Sequence, residues 1–442
     1  MRAVDIIAKK RDGHTLTRDE IHWFIDAFTH DTLPDYQVAA WLMAVYLQGM
    51  NRQETVDLTM ALAESGETLD LTEIDGYVVD KHSSGGVGDK TSLVVAPLVA
   101  SCGVPVIKMS GRGLGFSGGT LDKLEAIAGY DVHLSAERYI ALGKQIGIAL
   151  GGQTESIAPA DGKLYALRDV TGTVPSLPLI ASSIVSKKIA AGAHGIVLDV
   201  KVGRGAFMQT LEAARQLATM MVEIATDAKR NAVALLSDMN QPLGYAVGNA
   251  LEIAEAVETL RGGGPADLRE HCLAVGVEML HMAGQRGKRR WTTETAARAS
   301  LEQQIENGAA LAKFRELVAA QGGDVSMIDD PARLPQASLV ETLTASQDGS
   351  IAEVKADAVA VAAFELGAGR ERKSDPIDPA VGVKVHVKVG DRVQAGAPLA
   401  TIYANDAARL AKAKQTLLTA CTYSDAPVAP LPLFYRPAIH TD

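Results

Sequence analysis

The first 65 residues alternate apolar and polar positions with a helical period. Thr17 to Glu20 (TRDE) has capping-box spacing ahead of IHWFIDAF, and Asn51 to Glu54 repeats it ahead of VDLTMALAES. Pro34 and Asp35 open a third stretch, DYQVAAWLMAVYL. Each segment is short and has one apolar face, which predicts a small helical bundle. From about residue 77 the period changes. Brief β-branched runs (YVVD, VPVIK, GIVLDV, AVALLSD) alternate with longer apolar stretches, the pattern of a mainly parallel sheet covered by helices. Residues 163–193 return to helical character, so the chain is expected to cross back to the bundle. Beyond about 335, ETLTASQDGSIAEV and GVKVHVKVGDRVQAGAPLATIYA alternate around turns at Asp348-Gly349 and Gly390-Asp391. These predict β-rich structure.

The expected fold class is α/β in three domains. Residues 1–65 and 163–193 form a helical bundle, 77–154 and 197–334 a mainly parallel-sheet α/β domain, and 335–442 a β-rich C-terminal α+β domain. The last resembles barrel-sandwich modules of the biotinyl or lipoyl type. It has no M-K-M modification site, so a structural role is expected there.

Composition changes this picture in three ways. The formal net charge of −10 argues against a nucleic-acid partner, so any anion must find a local positive site. Cys102, Cys272 and Cys421 lie far apart and form no C-x-x-C pair, which fits a reduced, cytoplasmic protein. The opening MRAVDIIAKKRDG lacks the layout of a signal peptide, and no membrane span is expected because no stretch approaches about 18 uncharged apolar residues.

Candidate chemistry starts at VVDKHSSGGVGDKTSLVV, residues 78–95. A nucleotide P-loop needs adjacent Gly-Lys, and here Asp89 separates Gly88 from Lys90. Lys81-His82-Ser83 ends one predicted strand, and Lys108-Met109-Ser110 ends another about 27 residues on. Each is followed by a glycine-rich loop closing on a hydroxyl at a helix start, Ser92 in one case and Thr120 in the other. That interval is one strand, helix and return, so the loops should lie side by side at the carboxyl edge of the sheet. Lysines, hydroxyls and glycine amides together suit an inorganic phosphate or phosphoryl group. The plain alternative is two tight turns with solvated lysines; repetition in register favours phosphate.

SGRGLGFSGGTLDKLE, residues 110–125, closely resembles the signature of the thymidine and pyrimidine-nucleoside phosphorylases. The resemblance runs nearly end to end, through VDKHSSGGVGD, APADGKLYALRDVT, IASSIVSKK, LDVKVGRGAFM and SDMNQPLGYAVGNALEI. It implies reversible phosphorolysis of uridine, thymidine and deoxyuridine. Phosphate would attack C1′ opposite the base, giving α-(deoxy)ribose 1-phosphate with inversion. It implies phosphate contacts from Lys81, Ser83, Ser92, Lys108, Ser110 and Thr120. Arg168, Ser183 and Lys187 would hold the pyrimidine: the cations serve the two carbonyls, and a serine oxygen accepts from N3–H. Ser183 and Lys187 are four apart on a predicted helix and so share a face. Tyr165, Leu114, Ile180 and Phe207 match positions expected to wall the base pocket. Arg168 and Lys187 would tighten as charge grows on the departing base. His82 is the candidate acid, since imidazole titrates near neutral pH; the alternative is a buried, satisfied histidine.

A homodimer through the helical domain and a cleft closing at hinges within 66–76, 155–163 and 191–196 are also implied. No cofactor is expected beyond phosphate as co-substrate. A thymidine-restricted enzyme is the near alternative. An anthranilate-type phosphoribosyltransferase is a distant one, needing a diphosphate and magnesium site that the sequence does not show. Two departures stand out. The family's G-H-T-G-G is Gly115-Phe116-Ser117-Gly118-Gly119 here. A monovalent-cation position matches Gly88, Lys90, Leu243, Ala246 and Glu255, with Lys90 where relatives carry threonine. Either Lys90 pairs with Glu255 and replaces the ion, or it points to solvent.

Overall fold

The computed structural model describes all residues except 114–117, 155, 287–289, 371, 373–374 and 441–442. Four helices open the chain: α1 (Ala3–Arg11), α2 (Arg18–Thr29), α3 (Asp35–Gln48) and α4 (Arg52–Ala63). Strands and helices then alternate: β1 (Val79–Ser83), α5 (Thr91–Ser101), β2 (Val106–Ser110), α6 (Thr120–Leu124), α7 (Ala136–Ile146) and β3 (Ile148–Gly152). The chain continues through α8 (Pro159–Thr171), α9 (Leu177–Ala190), β4 (Gly195–Val202), α10 (Leu211–Asp227), β5 (Asn231–Asp238), β6 (Ala246–Val247) and α11 (Asn249–Leu260). The remaining strands are β7 (Leu339–Thr344), β8 (Gly349–Val354), β9 (Gly382–Val385), β10 (Arg392–Val393), β11 (Pro398–Ala404), β12 (Cys421–Ser424) and β13 (Ile439–His440).

Both predicted capping boxes form, Thr17 with Glu20 and Asn51 with Glu54. Glu54 does more than cap α4. It accepts from Leu16 N at 2.8 Å and pairs with the buried Lys10 ammonium at 2.8 Å, fastening α1 and the following loop to α4. Phe24 and Trp41 stack at 4.9 Å in the bundle core. Ala160 and Leu164 of α8 join that core, as does Leu179 at the start of α9. Farther along α9, Ala181, Val185 and Ile189 belong to the core of the sheet instead, so this helix bridges the two units.

The main sheet among the described residues has the order β13-β5-β4-β1-β2-β3. All pairings are parallel except that of β13. Strand order reverses between β4 and β1, and at such a switch point the strand ends leave a crevice for ligands. Two features cross the expected boundary near residue 335. The C-terminal tail returns to the α/β sheet, where β13 pairs with β5 and Tyr435 N donates to Leu236 O at 2.8 Å. Strand β6 goes the other way and joins the C-terminal sheet β6-β9-β11-β7. Among the described residues no helix is long and apolar enough to cross a membrane.

Candidate active site

A cavity of about 1150 Å³ opens between the carboxyl ends of β1 and β2 and the facing helices α8 and α9. That exceeds the roughly 300–1000 Å³ of most small-ligand pockets. Both glycine loops reach it. Ser83 ends β1, Ser92 lies in the first turn of α5, Ser110 ends β2 and Thr120 opens α6; all four line the cavity. Gly88 has φ +69°, and a Cβ there would meet Leu243 O at 2.6 Å, so only glycine allows this close turn.

The lysines divide. Lys108 lines the cavity and donates to Lys81 O at 2.6 Å. Burial, then the neighbouring Lys188 ammonium, lowers its pKa to about 7. Lys81 is not brought to the cavity wall, contrary to the phosphate-facing position expected. Lys81 is 2% exposed, and its ammonium turns beneath the first loop toward two buried acids. Its Nζ lies 3.6 Å from Asp89 and 3.4 Å from Asp199, in a buried network with Lys201 and His271. Burial opposes charge on Lys81, but Asp89 and Asp199 outweigh it and raise its pKa. Asp89 in turn accepts from Ser83 Oγ and, at 3.2 Å, from Thr91 N, so the network shapes the first loop from below.

His82 faces the cavity. Burial, then the fields of Lys188, Lys108, Lys187 and Lys81, hold its pKa well below the ordinary histidine value. This corrects the expectation that it titrates near neutral pH in the ligand-free site. This direction favours the neutral ring, which carries one N–H donor and one acceptor nitrogen.

At the other wall, Arg168 is buried on α8, donating to Leu179 O at 3.1 Å and Val174 O at 2.7 Å. Its Nε is buried without a protein partner. Tyr165 packs against this guanidinium at 5.7 Å. Ser183 and Lys187 meet on one face of α9, Nζ to Oγ at 3.0 Å, and Asp161 of α8 holds the same ammonium at 2.6 Å. Ile180 lines this end, and Phe207, 61% exposed, stands at the mouth. Leu114, Phe116 and Ser117 lie outside the described residues.

Several residues of the site escaped the sequence reading. Lys188 follows Lys187 but turns to the sheet, pairing with Asp80 at 2.8 Å and donating to Met109 O at 2.9 Å. Helical spacing could have separated this doublet, since successive residues on a helix point about 100° apart. Asp161, in APADGKLYALRD, stands near α8's start, a position rich in acids for dipole reasons alone. Arg370 belongs to the C-terminal domain yet lines the cavity, and nothing local in LGAGR marks it.

The expected cation position is filled by protein. Lys90, 1% exposed, donates to Leu243 O at 3.1 Å, Ala246 O at 2.9 Å and Glu255 Oε1 at 2.6 Å. Burial disfavours its charge, but Glu255 and Glu252 outweigh that and raise its pKa. It does not point to solvent.

Three family models match the chain. They are the helical bundle domain of a glycosyl transferase family at 4–66, that family's a/b domain at 75–311, and the pyrimidine nucleoside phosphorylase C-terminal domain at 350–424. Pyrimidine-nucleoside phosphorylases of Geobacillus stearothermophilus and Bacillus subtilis are each 54% identical to it over 405 residues, covering 92% of both chains. The chain belongs to the pyrimidine-nucleoside phosphorylase family. A relative from Staphylococcus aureus is 53% identical over the same share of both chains. Anthranilate phosphoribosyltransferase of Thermus thermophilus aligns with a TM-score of 0.59 at 19% identity. It covers 73% of this chain and 99% of its own, and at that identity the likeness is one of fold.

Proposed function

We propose that this enzyme catalyses the reversible phosphorolysis of pyrimidine nucleosides, uridine and thymidine alike, to free base and α-(deoxy)ribose 1-phosphate. One observation carries the reading: two glycine loops on adjacent parallel strands face, across one cavity, a guanidinium, a hydroxyl and an ammonium suited to a pyrimidine edge. Phosphate occupies the loop side, held by Ser83, Ser92, Lys108, Ser110 and Thr120. Lys81 acts from beneath, through Asp89. Arg168, Ser183 and Lys187 hold the base, so attack at C1′ runs across the cleft with inversion. Negative charge accumulates on the departing pyrimidine, where Arg168 and Lys187 bind it more tightly than in the ground state. Neutral His82 contributes a hydrogen bond to a base oxygen whose strength grows with that charge. Bound phosphate offsets the lysine field on His82 and makes a proton on its ring less costly.

The Lys90 ammonium takes the place of a monovalent cation in this reading, so no ion is required. The carbonyls of Leu243 and Ala246 and the Glu255 carboxylate would suit such an ion, but Nζ already uses all three. A homodimer is supported by the outer face of α3, where Tyr36, Met43, Tyr46 and Leu47 are exposed apolar residues. Reduced cysteines suit a cytoplasmic enzyme. The deciding experiment follows base release from uridine and thymidine spectrophotometrically, with and without phosphate. Phosphate-dependent release from both is expected. Release without phosphate, or from neither nucleoside, would end the reading; release from thymidine alone would restrict it.

A further inference from the structure

The C-terminal domain contributes a side chain to the cavity. Arg370 forms part of its wall together with Asp375 and Ile377. Its side chain is 10% exposed, and Nη2 donates to Asp122 Oδ1 at 2.5 Å. Asp122 also accepts from Gly113 N at 2.6 Å, so Arg370 lies against the second glycine loop, close to the Thr120 end of α6. The flanking backbone is anchored. Asn249 Nδ2 donates to Ala368 O at 2.9 Å, and Ala250 N donates to Pro379 O at 3.0 Å. Asp378 N donates to Gly367 O at 2.9 Å, which closes the base of the loop. The guanidinium is therefore held by one carboxylate, with anchored backbone at Ala368, Asp378 and Pro379.

Its Nε is buried with no protein partner. Leaving such a donor dry and unmet costs about 1–3 kcal/mol, and more on a charged group. An ion pair alone does not explain why an arginine is used, since an ammonium would satisfy Asp122 without stranding a second donor.

We propose that Arg370 is a ligand-contacting residue of the active site, donating its Nε–H to an oxygen at the phosphoryl-pentose end of the cavity. That oxygen belongs to phosphate or to the pentose 5′-hydroxyl, the groups nearest the second loop once the base lies against α8 and α9. The site is then assembled from all three domains, and the third one reads the non-base half of the substrate. This rests on the phosphorolysis reading above.

The test compares Arg370→Lys and Arg370→Met with the parent, using uridine, 5′-deoxyuridine and phosphate. Arg370→Lys keeps the pair with Asp122 and loses the second donor. If the acceptor is phosphate, KM for phosphate rises about tenfold or more in both variants while KM for uridine holds. If it is the 5′-hydroxyl, the parent's preference for uridine over 5′-deoxyuridine falls by a similar factor and KM for phosphate holds. Either result supports the assignment. Parent-like constants in Arg370→Lys, with losses only in Arg370→Met, would show that the ion pair is the whole role and overturn it. So would losses in both variants that leave KM values and 5′ preference unchanged while thermal midpoints fall. A parent that releases no base with phosphate would instead sink the phosphorolysis reading, a separate outcome.

Discussion

The Lys90 ammonium lies 2.6 Å from Glu255 Oε1, and the same carboxylate accepts from Tyr245 N and Ala246 N. One ion pair thus holds the turn between β5 and α11 and the first glycine loop together. The enzyme is expected to keep its rate when potassium is exchanged for tetramethylammonium at constant ionic strength. Lys90→Thr should acquire a potassium requirement. Lys90→Met, which strands a buried carboxylate, should cost about 3–5 kcal/mol of stability in denaturant melts. A strong potassium requirement in the parent would refute the replacement.

Lys108 is expected to take up a proton when phosphate binds. Its pKa of about 7, set by burial and then by Lys188, leaves it mostly neutral at about pH 8, where phosphate is largely dianionic. A dianion beside the amine favours the charged form and raises that pKa, so the complex holds more protons than the separate partners. Phosphate titrations by calorimetry, in buffers of different ionisation enthalpy, should report uptake in the parent. Lys108→Arg, charged in both states, should show none. No uptake in the parent, or the same uptake in both proteins, would contradict the placement.

His82 gives a prediction of the opposite sign. Its pKa is depressed by burial and by four lysines, so its contribution to stability is present above the unfolded value, near 6.5, and is lost as pH falls through the folded one. Between about pH 7.5 and 5.5 the parent should lose more stability than His82→Ala, measured by urea unfolding at each pH. For turnover, His82→Ala should lower kcat about a hundredfold, as loss of a donor to a charge-bearing oxygen does. It should lower kcat more than Arg168→Ala does at an equal loss of base affinity. Equal kcat in variant and parent would remove His82 from the chemistry.

The parts legible in sequence were those where chemistry and spacing coincide. Capping boxes at Thr17 and Asn51 stood where local hydrogen bonding fixes them, and the two glycine loops announced themselves by repetition. Lys81 was grouped with His82 and Ser83 by adjacency, and no local pattern showed that its ammonium would be drawn to Asp199 on another strand. The strand β3 was not marked, since IALGG carries two glycines and ends at the sheet edge. Asp80, Lys188 and Arg370 could not be assembled from the sequence. Their roles depend on pairings across 108 and 248 residues, which no local period encodes. The returning tail is of the same kind: two residues of β13 find β5 only after the whole sheet exists.

Asp161 should matter almost as much as the lysine it holds. Its carboxylate sits 2.6 Å from Lys187 Nζ and is itself buried, so the ammonium is aimed at the cavity by one acid and by Ser183 Oγ. Asp161→Asn keeps the shape but removes the charge, letting Lys187 swing among rotamers and lose contact with the pyrimidine carbonyl. Asp161→Asn alone should lose most of the kcat/KM that Lys187→Ala loses. The double variant should fall little below either single, because the pair acts as one unit. A coupling of about 1–3 kcal/mol in the double-mutant cycle is the expected result. Additive losses would mean that Asp161 supports α8 and not the lysine proposed to bind the base. Lys187→Arg separates the remaining possibility: if charge alone is needed at this position, arginine restores turnover, whereas a requirement for aim leaves it impaired, since a planar fork cannot satisfy Asp161 and Ser183 as a compact ammonium does.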